Sequence, residues 1–306
     1  MEKQRFSEQR FHDDIENIFL KGMFLDYGYS LENKNDYHSF FIGKHPFVVR
    51  DNAIFDNVCD HRQALIHPLG YGNQKFVCGY HGKDQSHAKQ FPSYNYNKLM
   101  FLGKKDPEII SLLEKYNVKT NDHFYHYEIL CKCNWKIYIE NVLERLHVPT
   151  VHGPSQDIIK PFLPFVDLYD IEYTRHGKHS IEVQKSTPTE RFKKYIKEWK
   201  WEHLYIFPNL CIANISNVVT SFSYFIPVKH NEINLVIDCF YNNEVELDHR
   251  FTDIIKESAK KFTIAIINED VPFMESCQIG KTAKPESDYR LEDLEERVKW
   301  FLENSV

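Results

Sequence analysis

The chain has 306 residues, of which 42% are hydrophobic and 27% charged, and its formal net charge is −6. A chain of this length can fold without disulfides and suits one large domain plus a smaller one. It lacks a basic tract, an apolar leader and any apolar run near the ~20 residues that span a bilayer. We therefore expect a cytoplasmic protein that binds neither nucleic acid nor membranes, and whose cysteines are free thiols or metal ligands.

The first part of the chain changes from helical to β-type patterning. Apolar residues recur at helical spacing over 8–24, which predicts a helix. From Tyr37 to Val77, short β-type runs alternate with turns, which predicts a small antiparallel β domain. A connecting helix is expected over 107–117, with the domain boundary near 115–122. The β-type runs are SFFIG, FVVR, AIFDNV and KFVCGY.

The second part predicts strands that are framed by helices. Helices are expected over 135–148, over about 247–270 and over 290–303, and the amphipathic pattern of 188–201 predicts a helix inserted between strands. Strands framed by long helices favour an α+β fold in which an antiparallel sheet wraps around a long helix. The strand candidates are 168–174, 179–185, 203–208, 211–215, 218–227 and 233–242.

Two short motifs, CDH and CGYH, each supply one cysteine and one histidine: Cys59, His61, Cys78 and His81. Thiolates and imidazoles can together bind zinc or an iron–sulfur cluster. Zinc sites usually separate the two members of a ligand pair by two to four residues, which disfavours zinc for the C-x-H pair. In a [2Fe–2S] cluster, the thiolates would hold one iron and the imidazoles the other.

This pattern closely resembles the signature of Rieske iron–sulfur domains. Arg62 follows the first histidine, and Tyr80 and Gly82 flank the second, as in that signature. Asp60 and Lys83 differ from the family, which often has Pro and usually Trp at these positions. Cytochrome-complex Rieske proteins carry a further cysteine beside each pair, and these are missing here. The resemblance is therefore to the Rieske domains of oxygenases.

A second group of candidate ligands lies further along the chain. His147 and His152 are five residues apart and would diverge by about 140° on an unbroken helix. Pro149 disfavours helical geometry in the residue before it, so the chain can turn and bring both histidines together. Two histidines and one carboxylate form the facial ligand set of non-haem iron(II) oxygenases, which leaves positions open for O2 and substrate.

The carboxylate of such a site is expected from the long C-terminal helix. Asp270 lies just before Pro272, and Glu269 and Glu275 are its rivals in the same segment. Residues 269–280 resemble a motif of Rieske oxygenases that begins with Glu-Asp and continues, in this order, with a Glu, a Gln and a Gly. By that resemblance, Asp270 would be the third iron ligand.

The segment before His147 is also similar to Rieske oxygenases, in the pattern E-N-x-x-[DE]-x-x-H-x4-H. The resemblance implies that His147 and His152 are iron ligands and that Asn141 lies near the iron. Glu144 would be the carboxylate that links an iron-ligand histidine to a cluster histidine. In this sequence the corresponding histidines are His147 and His81. The simpler interpretations are a solvated surface glutamate and an ordinary polar asparagine.

The resemblance implies the terminal oxygenase component of a Rieske non-haem iron enzyme. Residues 1–118 would form the N-terminal helix and the Rieske [2Fe–2S] domain, and 119–306 a helix-grip-like catalytic domain with mononuclear Fe(II). Family members use O2 to hydroxylate, dihydroxylate or oxidatively demethylate a small organic substrate, and they commonly form homotrimers. The His147-to-His152 run, HVPTVH, resembles monooxygenases that act on quaternary ammonium compounds.

Electrons are expected from a separate ferredoxin or NAD(P)H-dependent reductase, because this sequence contains neither a Gly-rich dinucleotide fingerprint nor a four-cysteine ferredoxin pattern. The alternative function is a Rieske electron-transfer protein fused to a non-catalytic ligand-binding domain.

Two further pairs of residues are expected to be structural. His123 and His126 have no evident partners in the sequence and are predicted to lie on the surface. Cys131 and Cys133 lie in a predicted strand, where residues two apart share one face, and are expected to pack there.

Overall fold

The described residues of the N-terminal part form two α-helices, a short 3-10 helix at Phe19–Lys21 and eight strands. The computed structural model describes residues 5–27, 31–159, 171–186, 199–245, 247–285, 290–292 and 295–304. In chain order, the elements of this part are α1 (Glu8–Asn17), β1 (Gly22–Tyr27), β2 (Asp36–Ile42), β3 (His45–Arg50), β4 (Ala53–Asp56), β5 (Gly70–Asn73), β6 (Gln90–Phe91), β7 (Ser93–Tyr96), β8 (Leu99–Gly103) and α2 (Pro107–Lys115).

These strands form two antiparallel sheets. Five of them pair in the order β5-β2-β3-β4-β6, and the other three pair in the order β1-β8-β7. The expected antiparallel strands are therefore present. The predicted helix over 8–24 stops at Asn17, and its last residues belong to β1. The run at 75–80 forms no strand, since only Val77 makes an isolated bridge, to Asp84.

The C-terminal part is built on one large sheet. Its seven antiparallel strands pair in the order β10-β11-β12-β13-β14-β15-β9. The elements are β9 (Asp122–Cys131), α3 (Trp135–Leu143), α4 (Val148–Val151), α5 (Gly153–Ile159), β10 (Glu172–His176), β11 (His179–Ser186), β12 (Trp199–Ile206), β13 (Leu210–Ile215), β14 (Val219–Lys229), β15 (Glu232–Tyr241), α6 (His249–Ala283) and α7 (Glu296–Asn304). The expected α+β fold is confirmed.

Several predicted boundaries in this part are wrong. The helix expected over 135–148 ends at Leu143. The long helix α6 does not stop at 270 but continues through Pro272 to Ala283. Residues 199–201 belong to β12 and not to the predicted inserted helix, whose other residues lie outside the described part of the chain. Residues 168–170 of the first strand candidate lie outside it as well.

The large sheet separates two apolar layers. Side chains alternate across a strand, so neighbouring residues of β14 and β15 face opposite sides. Phe225 and Ile237 pack with Met274 of α6 in the main core. Phe222 and Tyr224 pack with residues of α2, β1 and β8 in a second cluster. The helix α6 thus lies on one face of the sheet, as expected. Among the described helices, none is long and apolar enough to cross a membrane.

A buried ion pair ties the N-terminal helix to α3. Lys136 is fully buried, and its Nζ lies 2.5 Å from Oδ2 of the equally buried Asp14. The indole N–H of Trp135 donates to the same carboxylate at 3.0 Å. Burial lowers the pKa of Lys136 to about 8, and the interaction with Asp14 opposes that shift and favours the charged form.

This ion pair generates a stability prediction. We expect Asp14→Ala to reduce the free energy of unfolding by about 3–5 kcal/mol, because it leaves the ammonium of Lys136 buried without a counter-charge. The neighbouring Asp13 is exposed and provides the matched control, for which Asp13→Ala should change stability by less than about 0.5 kcal/mol. Thermal unfolding of both variants measures the difference. Equal melting temperatures would contradict the prediction.

Candidate metal centres

The chain turns sharply where α3 ends. Glu144 leaves helical geometry with a ψ of 160°. Its Oε2 accepts the backbone N–H groups of Leu146 at 2.5 Å and of His147 at 3.2 Å, which stabilises the turn into α4. The break therefore occurs at Glu144 and not at Pro149, which instead lies in the first turn of α4, where its missing N–H costs nothing.

The four-residue helix α4 separates His147 from His152 and brings their rings together. The two Nε2 atoms lie 3.0 Å apart. Asp270 approaches from α6, and its Oδ1 lies 3.2 Å from Nε2 of His152 and 3.6 Å from Nε2 of His147. Both His152 and Asp270 are buried. These three residues form one of the groups of the described chain that could hold a metal ion.

The outer nitrogen of each imidazole faces a carboxylate. Nδ1 of His147 is hydrogen-bonded to Glu144, and Nδ1 of His152 lies 2.9 Å from Oε2 of Glu269. The other oxygen of Glu269 accepts the backbone N–H of Ser155 at 3.1 Å. An ionised carboxylate can only accept, so both Nδ1 atoms donate to these carboxylates and each ring directs its Nε2 toward the centre.

The three atoms at the centre of this group are suited to bind a cation. Two imidazole nitrogens and a carboxylate oxygen converge, and Oδ1 of Asp270 is buried and accepts no hydrogen bond of acceptable geometry from the described residues. Such a convergence is unfavourable unless a positive charge lies between the three atoms. Two imidazoles and one carboxylate match Fe(II), and the outer carboxylates would fix the ring orientations, as they commonly do for metal-bound histidines.

Protonation of His152 opposes metal binding. Burial lowers its pKa, but the carboxylates of Asp270 and Glu269 raise it by more, so the pKa lies above its ordinary value. Because a proton and a metal ion compete for the same nitrogen, metal affinity should fall as the pH is lowered.

The other residues proposed from the sequence for this site lie outside the group of three. Glu275, a rival for the third ligand, accepts the backbone N–H of Lys132 at 3.0 Å and lies outside the group of three. Glu269, the second rival, is a hydrogen-bond acceptor for His152. Sequence reasoning missed this role, although the position of Glu269 beside Asp270 on α6 is the signal for it. Asn141 is a half-buried residue of α3, one turn before Glu144.

The cysteines of the N-terminal motifs begin two loops with the same hydrogen-bond pattern. In the first loop, the N–H of Cys59 donates to the carbonyl of Ala64 and that of Gln63 to the carbonyl of Cys59. In the second, Cys78, Lys83 and Gly82 repeat these bonds. Gln63 and Gly82 occupy equivalent positions, both with positive φ, of 57° and 67°. The two loops therefore present their cysteines in the same way.

Three of the four predicted cluster ligands converge. Cys59, Cys78 and His81 form a potential metal group, and Sγ of Cys59 lies 3.1 Å from Nε2 of His81. His61 is not in that group, but its ring centre lies 4.7 Å from that of His81. The thiols are buried and His61 is exposed, so a cluster here would have its sulfur-bound iron inside and its histidine side at the surface.

The sulfur of Cys78 lies in a polar environment made by the backbone. Burial raises the pKa of its thiol, but hydrogen bonds, chiefly from the backbone N–H groups of Tyr80 and His81, lower the pKa by more than burial raises it. The pKa of Cys78 therefore lies below its ordinary value. Such N–H groups stabilise a thiolate, the form that binds iron, and they influence the potential of iron–sulfur clusters.

A third convergence was not expected from the sequence. His123 and His126, predicted to be isolated surface residues, both contact Oδ1 of Asp238, at 2.7 Å and 2.8 Å. His126 is exposed, as predicted, but the expected lack of partners is wrong because Asp238 is distant in sequence and reaches the histidines through the pairing of β15 with β9.

Comparisons with known proteins agree with this fold. Residues 117–305 match the family described as the ring hydroxylating alpha subunit, catalytic domain. Putrescine 2-hydroxylase of Ralstonia nicotianae is 28% identical over 176 residues, which is 48% of this chain and 47% of the relative. The matched part thus spans about half the length of that curated relative.

Solved structures resemble nearly the whole chain. A quaternary ammonium Rieske monooxygenase, studied for carnitine oxidation by gut microbiota, superposes with a TM-score of 0.77 at 19% identity and covers 98% of this chain and 92% of its own. Naphthalene 1,2-dioxygenase from Rhodococcus sp. superposes with a TM-score of 0.70 at 14% identity, over 91% and 81% of the two chains. At these identities the likeness shows the fold.

The fold is thus that of the Rieske oxygenases. Because the family match covers more than half of the residues, including all three members of the His147 group, the chain belongs to the ring hydroxylating alpha subunit family.

The role of Glu269 can be tested by a substitution that preserves its size. Each oxygen of Glu269 accepts one N–H, but a glutamine in its place would direct an NH2 group at one of these donors. We expect Glu269→Gln to weaken binding of the mononuclear metal by about 10–100-fold, measured as iron retained after dialysis against a chelator. Glu275→Gln on the same helix is the control and should retain the wild-type metal content. Equal retention in both variants would show that Glu269 does not support the site.

Proposed function

We propose that this chain is the terminal oxygenase component of a Rieske-type enzyme. It would use O2, and electrons from a separate ferredoxin or reductase, to hydroxylate or oxidatively demethylate a small organic substrate. Residues 1–118 would carry the [2Fe–2S] cluster and 119–306 the mononuclear Fe(II). The observation that carries the proposal is the convergence of two imidazole nitrogens and one carboxylate oxygen on one buried point.

Each ligand set would hold its metal through the side chains described above. Cys59 and Cys78 would bind one iron of the cluster, and His61 and His81 the other. When bound, the cluster would supply single electrons and the mononuclear iron would activate O2.

Glu144 and Glu269 hold the protons of the outer imidazole nitrogens, so that the inner nitrogens stay available. They also fix the ring orientations, and thereby the side of the site that stays open to substrate.

The site borders the apolar core, which would exclude water from it. Tyr138 of α3 is fully buried and its hydroxyl is bonded to that of Ser223 on β14. Ile267 and Met274 flank Asp270 on α6 and belong to the same core. Water exclusion strengthens electrostatic interactions and limits side reactions, which suits a site for oxidative chemistry.

We propose aliphatic nitrogen compounds as the substrate class to test first. The names of two relatives support this choice: one hydroxylates putrescine, and the other is a monooxygenase of quaternary ammonium compounds. Carnitine and putrescine both carry a nitrogen cation, which aromatic rings can bind. A panel of amines, quaternary ammonium compounds and arenes, assayed with oxygen uptake and product analysis, would separate this class from aromatic substrates.

We also propose that three chains assemble so that the cluster of one faces the iron site of the next. Large apolar side chains are exposed beside both centres: Tyr80 in the second cluster loop is 65% exposed, and Phe273 beside the iron site is 57% exposed. Leu146, between Glu144 and His147, is also exposed. Association that buried these side chains would be favourable, because it would remove apolar surface from water. A head-to-tail ring would bring such surfaces together.

Iron content distinguishes an oxygenase from a protein that only transfers electrons. Wild type should bind about three irons per chain, two in the cluster and one mononuclear. Asp270→Ala should lose one iron and all oxygenation while it retains the cluster absorption, because it removes a ligand of the mononuclear site alone. Glu275→Ala is the control and should retain both iron and activity. Full activity in Asp270→Ala would overturn the proposed function.

The proposed assembly can be tested with two inactive variants. His81→Ala should lose the cluster and His147→Ala the mononuclear iron. Mixed trimers would place some intact irons beside intact neighbouring clusters, so activity should partly return when the variants exchange subunits. Subunit exchange is verified independently with differently tagged chains. If mixed oligomers form and no activity returns, electrons do not pass between chains.

A further inference from the structure

A second group of two histidines and one carboxylate lies on the large sheet, away from the candidate iron centre. We infer that His123, His126 and Asp238 form a separate binding site for a divalent transition-metal ion of the zinc class. Their ligand atoms all lie within 4.8 Å of one another. Two imidazoles and one carboxylate are a donor set that zinc and similar borderline ions favour.

The geometry of the strand brings the two histidines to one side. Residues three apart on a regular strand point to opposite faces. In β9, however, the pairing with β15 shifts: Tyr125 pairs with Cys239, but His123, and not Phe124, pairs with the next residue. Phe124 is thus an extra residue on β9, as in a β-bulge. The bulge turns the side chain of His123 toward the face that His126 already occupies.

Asp238 provides the common contact at the base of the group. It lies opposite His126 in the register of β15 with β9, and its side chain is only 5% exposed. Its Oδ1 lies 2.7 Å from Nε2 of His123 and 2.8 Å from Nδ1 of His126. The hydroxyl of Tyr224 lies 3.4 Å from its Oδ2, which orients the carboxylate from the neighbouring strand.

The orientation of His126 is the one that a metal-binding imidazole adopts. Its Nδ1 faces the group, while its Nε2 lies 3.0 Å from Oε1 of Glu128. Asn234 donates to the other oxygen of Glu128 at 3.3 Å and holds that carboxylate in place. Glu128 fixes the ring orientation, as Glu144 and Glu269 do at the candidate iron centre, and a metal ion would displace the proton that Nδ1 shares with Asp238.

The two centres are on opposite faces of the sheet. Ile237 and Cys239 face the core that contains α6, whereas Asp238, between them, faces the other side with Tyr224. His126 is 37% exposed, so an ion can reach the group from solvent. Bound metal would join the edge strand β9 to its neighbour β15 and would stabilise the edge of the sheet.

The same atoms could also form an ion-paired hydrogen-bond network without a metal, and zinc alone is the probe that separates the two. The full chain, with its iron in place, is dialysed against Zn2+, and zinc and iron per chain are measured together by mass spectrometry. Wild type should bind one zinc at this site with unchanged iron, and its melting temperature should rise with zinc concentration.

The variants assign the bound zinc to the group. His126→Ala and Asp238→Asn should each lower zinc affinity by at least about tenfold and abolish the zinc-dependent rise in melting temperature. His249→Ala is the control, because the side chain of His249 is 84% exposed and distant in sequence from the group, and it should bind zinc like wild type. Should Asp238→Asn fail to fold, the more exposed His126→Ala decides.

Three results would overturn the inference. Wild type could bind no zinc, His126→Ala could bind it as tightly as wild type, or zinc could enter only as iron is lost in equal amount. The last result would place the zinc at the iron centre.

Discussion

The two Nε2 atoms of His147 and His152 and Oδ1 of Asp270 share one buried point, with separations of 3.0 to 3.6 Å. When both inner nitrogens are unprotonated, as metal binding requires, none of the three atoms can donate a hydrogen bond to another. The surrounding chain must therefore hold this arrangement against mutual repulsion until a cation compensates it. Glu144 and Glu269 do so from outside, each through the Nδ1 of one ring.

The fold supplies the rigid support that such an arrangement needs. His147 and His152 flank a single short helix, whereas Asp270 and Glu269 belong to the 35-residue helix α6. Both α3, which leads into the histidine segment, and α6 pack on the same face of the seven-stranded sheet through one core. That core also contains residues of α1, and the buried pair of Asp14 and Lys136 fixes α1 against α3. Displacement of either helix would separate the ligands, so core packing and metal binding depend on each other.

The sequence predicts those sites best whose ligands are close together in the chain. The two cluster loops and the His147–His152 pair could be identified because a short loop sets the geometry of each cysteine motif and one short helix that of the histidine pair. The end of α3 at Glu144 could not be predicted, since the glutamate stabilises the turn by accepting two backbone N–H groups, and nothing in its residue type requires this. The role of Glu269 depends on a contact with a residue more than a hundred positions away.

The group around Asp238 shows the same limit more strongly. The spacing of His123 and His126 indicates opposite faces of a strand, and only the bulge at Phe124 reverses that expectation. A bulge depends on the pairing between strands, so the sequence of one strand does not predict it. Likewise, residues 199–201 end a segment, 188–201, whose amphipathic pattern is typical of a helix. Their pairing with β11 and β13 nevertheless makes these three residues part of a strand.

The most direct test of the account is a crystal structure of the iron-loaded protein with diffraction data collected at the iron absorption edge. The account predicts an anomalous peak bonded to Nε2 of His147, Nε2 of His152 and a carboxylate oxygen of Asp270, in addition to the peaks of a cluster between the two cysteine loops. Iron scattering confined to the cysteine loops, or a peak bonded to Glu269 in place of Asp270, would contradict it.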